Sequence, residues 1–247
     1  MKVERHRFLG VAMTLAAIVI LTTRAPEARS RNSPQKNVNE AAAQSAKAAR
    51  VFDEIMQVPD KAIPTDLLTR AKAIAVFPEV VKIAFTVGGE GGRGVVSQRV
   101  GAAWSDPVFF RAGGPSVGPQ VGASSTDIVL LLMNDDSVAG LMKDRLELGA
   151  DVGIAAGPVG RNASAGTDAL MHAAVLSYSR SRGLFAGVDV KGIVIKPEDN
   201  LNKAVYNRSA RDLLTEQVSG TTGGATAQLQ AFPQALGRYT DTARDHR

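Results

Sequence analysis

No cysteine occurs among the 247 residues, which excludes a disulfide framework, a thiol nucleophile, a cysteine-ligated metal and lipid attachment at an N-terminal cysteine. Histidine is nearly as scarce. Of the three present only His172 lies away from the termini, so a metal centre would have to rest on carboxylates. Asp135 and Asp136 are the nearest such pair, and two acids ahead of an apolar run suit a helix start better than a cation cage. No metal and no cofactor are therefore expected. Aromatic residues make up 5% of the chain, against 24 glycines and 11 prolines, a balance that favours many short elements over a few long helices. A strong net charge is also missing. The formal value is +5, but five of the 29 Lys and Arg and two of the 24 acids fall within residues 1–30, leaving +2 on the remainder. Bulk charge thus gives no ground for a nucleic-acid partner.

What the sequence does contain starts with a basic MKVERHR, the uncharged run Phe8–Thr23 and the small-residue stretch Ala28-Arg29-Ser30. This is the layout of a secretory leader. Residues 1–30 are expected to be a signal peptide, or an uncleaved N-terminal anchor, of an exported protein. Residues 31–38 read as a polar linker. Val38, Ala41, Ala42, Ser45, Ala48, Ala49, Phe52, Ile55 and Met56 then recur at helical spacing and predict an amphipathic helix that ends before Pro59. Thr65 or Asp66 is placed to cap a short second helix.

The period changes at Val81, Ile83, Phe85 and Val87, which alternate with Lys82, Ala84 and Thr86 as in a half-buried strand, and the cluster GGEGGRG is expected to turn the chain. VVSQRV, WSDPVFF, STDIVLLLM, LMHAAVLSYS and LFAGVDVKGIVI supply further strands. Short helices are expected in DDSVAGLMKDR, capped by Asp135 or Asp136, and in DNLNKAVYN. Strands joined mainly by tight turns predict an α+β fold with a mainly antiparallel β core, sandwich- or barrel-like, an N-terminal amphipathic helix and short peripheral helices. Beyond about Ser209 the composition loosens, and 208–247 reads as a helix through ARDLLTEQV and a flexible tail.

Three motifs bear on chemistry. Gly89, Gly91 and Gly94 match G-x-G-x-x-G, but VVSQRV continues as a strand, whereas a dinucleotide site needs a helix N-terminus there. Gly114-Pro115-Ser116-Val117-Gly118 matches G-x-S-x-G, with Asp127 to Asp168 and His172 following in hydrolase order. Pro119 and Gly122 make a poor helix after Ser116, and a nucleophile elbow is a strand-to-helix turn, so a serine hydrolase is the weakest reading. In YSRSRGLFAG, Arg180 and Arg182 stand among Ser177, Ser179 and Ser181. They fit a hairpin tip or a phosphate-binding turn, followed by a strand that points Leu184, Ala186 and Val188 at the core.

IPTDLL, AKAIAVFP, GGRGVV, WSDP, GPQVG, LELGAD, GPVGRN, YSRSRGLFAG and Tyr206 follow one another in this order, and together they resemble the landmarks of the SYLF domain family from about Asn39 to Asn207. The resemblance implies a noncatalytic lipid-binding module. Eukaryotic members accompany SH3 or FYVE domains and bind phosphoinositide membranes, and the yeast members bind actin. Bacterial members are exported single-domain proteins, which implies a periplasmic or envelope-associated location and makes actin an unlikely partner here. The helix preceding the domain body in phosphoinositide binders is strongly basic, whereas this one keeps Lys47 and Arg50 beside Glu40, Asp53 and Glu54. The expected ligand is an anionic phospholipid or membrane surface. Lys47, Arg50, Arg180 and Arg182 are its candidate contacts, with part of the helix stripe entering the interface. The alternative is a structural or protein-interaction domain of the cell envelope whose helix packs permanently on the core.

Overall fold

The structure is a computed structural model, and its described residues are 34–60, 62–84, 87–117, 122–160, 173–181, 184–187, 190–217 and 227–241. Ala73, Ala75 and Phe77 alternate with Ile74 and Val76, yet all five are fully buried, so the strand that carries them is covered on both faces. This is β1 (Ala73–Ala84), and it lies centrally in the sheet. It is followed by β2 (Val87–Val100), β3 (Ala103–Trp104), β4 (Val108–Val117), β5 (Gly122–Leu132), β6 (Leu146–Glu147), β7 (Ile154–Ala156), β8 (Val175–Ser181), β9 (Leu184–Gly187) and β10 (Val194–Pro197). The order is β6-β10-β4-β2-β1-β5-β8-β7, with β3 on β2 and β9 on β8. Every pairing of these strands is antiparallel except β7 with β8. The expected α+β class is what the chain adopts, as a curled, mostly antiparallel sheet with peripheral helices.

Each face of the sheet has its own core. On one side Ile74, Val76, Val95, Phe109, Val129, Leu131 and Tyr178 pack under the N-terminal helix α1 (Pro34–Met56). The short α2 (Thr65–Arg70) joins them through Leu67 and Leu68. On the other side Phe77, Phe110, Leu130 and Ile195 pack with Val138 and Leu141 of α3 (Asp135–Leu141). After α4 (Asp199–Tyr206), the helix α5 (Ala210–Glu216) adds Leu213 and Leu214 to this second core. Tyr206, one of the family landmarks, is an anchor: its hydroxyl donates to the Pro107 carbonyl at 2.8 Å and its ring stacks on Phe109.

The expected stripe of α1 is buried almost throughout, with Ala41, Ser45, Ala48 and Phe52 at 0% exposure. It does not wait for a membrane, because a second helix covers what the sheet leaves open. That helix, α6 (Ala231–Asp241), lies where a flexible tail was expected. Leu229, Phe232, Ala235 and Leu236 recur at helical spacing and are fully buried, and the small polar segment before them hides the pattern. Phe52 meets Phe232 and Tyr239 edge-on at 6.5 and 5.7 Å. The Ser45 hydroxyl donates to the Leu229 carbonyl at 2.6 Å and accepts the Phe232 N–H at 3.2 Å, so the joint is polar and apolar at once.

Other local expectations change. Helix α1 starts at Pro34, inside the expected linker, and proline suits a first helical position. Helix α2 has no side-chain cap, and α3 is capped by Asn134, which accepts the Ser137 N–H, rather than by Asp135 or Asp136. The cluster GGEGGRG is not a turn but the first half of β2, paired with both β1 and β4. A Cβ on Gly94 would lie 2.4 Å from the Val76 carbonyl oxygen and the Phe77 ring, and one on Gly92 would lie 2.9 Å from Val80, so glycine is required by close approach of β1. The stretch YSRSRGLFAG does form a β8–β9 hairpin, Ser181 opposite Leu184. Its inward residue is Phe185, while Leu184 is 68% exposed and Ala186 is exposed, a one-residue change of face. Val188 lies outside the described residues.

Candidate functional site

Pro78 and Glu79 interrupt β1. Pairing shifts register between Phe77 and Val80 against β5, and between Val76 and Val81 against β2. Proline has no N–H for a ladder, and Glu79 takes φ +50°, a left-handed conformation uncommon outside glycine. What holds this bulge is Asp127 of β5, buried, whose Oδ1 accepts the Glu79 N–H at 2.9 Å.

The other oxygen of Asp127 serves the neighbouring strand. Arg180 stands directly opposite Asp127 in the β5–β8 ladder, and its Nε and Nη2 donate to Asp127 Oδ2 at 2.9 and 2.7 Å. The third guanidinium nitrogen, Nη1, pairs with Glu54 on the last turns of α1. Burial pulls the Arg180 guanidinium down, but the hydrogen bonds and charges of Glu54 and Asp127 outweigh it and hold it above its ordinary value. One helical stretch earlier, Lys47 pairs with Glu79 of the bulge. The bulge, β5, β8 and α1 are therefore tied by one chain of charges: Lys47, Glu79, Asp127, Arg180, Glu54.

These residues line a cleft of about 540 Å³, together with Arg50, Val51 and Ser125. Lys47, Arg50 and Arg180, selected from the sequence for different reasons, thus come to one place. Arg50 is exposed and has no hydrogen bond or ion pair among the described residues. The fourth candidate, Arg182, lies outside the described residues. Against three cations stand three carboxylates, whose pairing with them sequence reasoning missed: Asp127 is remote from α1 in the chain, and only strand register reveals that it faces Arg180. The two outer carboxylates differ from the inner one. Glu54 and Glu79 side chains are 53% and 62% exposed, whereas that of Asp127 is 11% exposed.

The hydrolase motif finds no support. Ser116 lies in β4 opposite Gly88 of β2, paired within an antiparallel ladder next to its end rather than on a strand-to-helix turn. Asp168 and His172 lie outside the described residues. Among the described residues no group of three or more His, Cys, Asp or Glu is placed to hold a metal ion, and no helix is long and apolar enough to cross a membrane.

Comparison with known sequences gives one family match. Residues 113–239 match the profile described as Ysc84, Las17-binding protein actin regulator. Among curated proteins, the chain is 35% identical over 217 residues to SH3 domain-containing YSC84-like protein 1 of Rattus norvegicus, covering 85% of this chain and 62% of that protein. It is also 35% identical over 199 residues to LAS seventeen-binding protein 3 of Saccharomyces cerevisiae (strain ATCC 204508 / S288c), covering 78% of this chain and 42% of that one. The chain therefore spans at most about three fifths of the length of these relatives. Their names describe binding proteins or SH3-containing proteins.

Proposed function

From the premise that the chain belongs to the Ysc84 (SYLF) family, we propose that it is a noncatalytic binding module whose cleft at the end of α1 receives the phosphate of an anionic phospholipid surface. The observation that carries this reading is the convergence of Lys47, Arg50 and Arg180 on one open cleft. Arg180 is held from behind by a buried carboxylate, so its guanidinium is pre-positioned. Among the described residues Arg50 makes no hydrogen bond or ion pair. The outer carboxylates Glu54 and Glu79 are solvent-exposed side chains that occupy the two cations until a phosphate replaces them, and exposed pairs of this kind are worth only about 0–1 kcal/mol. The contact is electrostatic and superficial, since the apolar stripe of α1 is used inside the domain.

Sedimentation with phosphatidylglycerol-containing and pure phosphatidylcholine vesicles tests it. Binding to the first and not the second, falling with salt, is expected; binding to neither removes the lipid. The exported, envelope-associated location expected from residues 1–30 belongs to the same proposal, and recovery of the native protein in a soluble cytosolic fraction would sink that part. A protein-interaction module of the envelope is the second reading. It is favoured by the permanent burial of α1 and by the yeast relative's name, which describes a protein partner. A vesicle-inactive domain that captures one envelope protein stoichiometrically would establish it.

A further inference from the structure

A second set of cations lies on the same face of the sheet, away from the cleft. The ladders place Arg93 of β2 opposite Arg111 of β4, and Arg111 opposite Lys196 of β10. Directly opposed residues of antiparallel strands point to the same side. Three basic side chains therefore stand in one row across three adjacent strands. Two residues along the strands, Val95 and Phe109 occupy the same face and are fully buried in the α1-side core, so the row begins where that cover ends.

Like charges directly opposite one another destabilise a sheet, and among the described residues only Arg93 of the three is in an ion pair. Arg93 pairs with Glu40 of α1, and its Nε lies 3.2 Å from Glu198 Oε1. Arg111 and Lys196 are exposed and make no hydrogen bond or ion pair among the described residues. The nearby acid, Glu198, is buried with its Oε2 unpartnered. Burial raises its proton affinity, opposed by the charges of Arg93 and Arg111 and by the Gln44 side chain; this one carboxylate meets Arg93 in an ion pair and Arg111 only at longer range. Toward the strand ends Gly91 faces Gly113 and Gly89 faces Pro115, flanked by Val81 of β1 and Val194 of β10, so no charged side chain of β2 or β4 stands beside the row on that side.

We propose that Arg111 and Lys196, with Arg93 fixed behind them, form a second phosphate-binding site, which takes the oxyanion of a phosphate ester through one guanidinium fork and one ammonium. The site shares no residue with the cleft and does not rest on it. Its phosphate belongs either to a lipid headgroup or to a soluble phosphate compound.

Backbone amide shifts of the full chain, titrated with inorganic phosphate, test the site itself. Saturable shifts at Arg111, Ala112 and Lys196 are expected, and they should vanish in R111Q/K196Q. That variant should melt at or above the wild-type temperature, because it removes like-charge contacts from an exposed row. Absence of saturable shifts, or identical shifts in the variant, overturns the proposal. Phosphatidylglycerol-containing vesicles separate the two sources. Vesicle affinity reduced roughly tenfold or more by R111Q/K196Q assigns a lipid headgroup, while vesicle affinity unchanged by the variant, with saturable phosphate shifts in the wild type that the variant loses, assigns a soluble phosphate. If wild-type protein ignores vesicles yet keeps the phosphate shifts, the cleft proposal fails and this one stands.

Discussion

Replacing Asp127 with asparagine keeps the shape of the side chain and removes the charge that Arg180 and the Glu79 N–H both use. The neutral oxygen can satisfy one of them, not both as well as before, and Arg180 is left leaning on the exposed Glu54 alone. A loss of about 2–3 kcal/mol is expected from breaking a largely buried pair, read as a lower denaturant midpoint with an unchanged slope. Glu79 provides a second test at this scale. Both E79A and E79G delete the pair with Lys47, but only glycine accepts φ +50° without strain. E79G should therefore be more stable than E79A by about 1 kcal/mol. Equal stabilities would mean that the bulge does not hold the left-handed conformation in solution.

The elements that position the cleft are α1, the bulged β1 and the glycine strand β2, and each depends on a contact far away in the chain. Phe232→Ala should cost about 3–5 kcal/mol, because the ring is fully buried and packs on Phe52. Thermal unfolding would show it as a large drop in Tm. Gly94→Ala should cost about 1–3 kcal/mol, since its methyl meets the Val76 carbonyl of β1 as well as the fully buried Phe77 ring. The same dependence explains what could be read in advance. The apolar run of STDIVLLLM, the short alternation of VLSYS and the helical period of residues 38–56 are local signals, and they locate β5, β8 and α1. GGEGGRG looked like a turn because glycine is common there, while its use as room for a crossing strand is visible only in three dimensions. Helix α6 was lost in a small polar context. Lys47, Arg50 and Arg180 were legible as basic residues on a helix and at a hairpin, but their neutralising partners were not, since strand register and the bulge decide which acids they meet.

Among the described residues, Lys47, Arg50 and Arg180 form one cationic place and Arg93, Arg111 and Lys196 another on the same sheet face, each with acids close by. That agrees with the low net charge of residues 31–247. Glu198 links this arrangement to pH. Its folded-state proton affinity is raised, first by burial, so its ionisation costs stability above the ordinary glutamate range, and the cost is relieved as pH falls through the raised folded value. E198Q should be at least as stable as wild type at neutral pH and should gain less on mild acidification, as read from denaturation midpoints across the weakly acidic range. A neutral-pH loss of stability in E198Q would show that Arg93 needs the full charge.

The cleft is best tested by two double variants with opposite expected signs, compared on phosphatidylglycerol-containing vesicles. K47Q/R50Q removes two cations worth about 1 kcal/mol each near an anionic surface, and should weaken binding by roughly 30-fold. E54Q/E79Q leaves every cation in place, removes the two exposed carboxylates that compete for them, and should strengthen binding. Unchanged affinity in K47Q/R50Q, or weaker binding by E54Q/E79Q in a protein that remains folded, would contradict phosphate capture at this cleft.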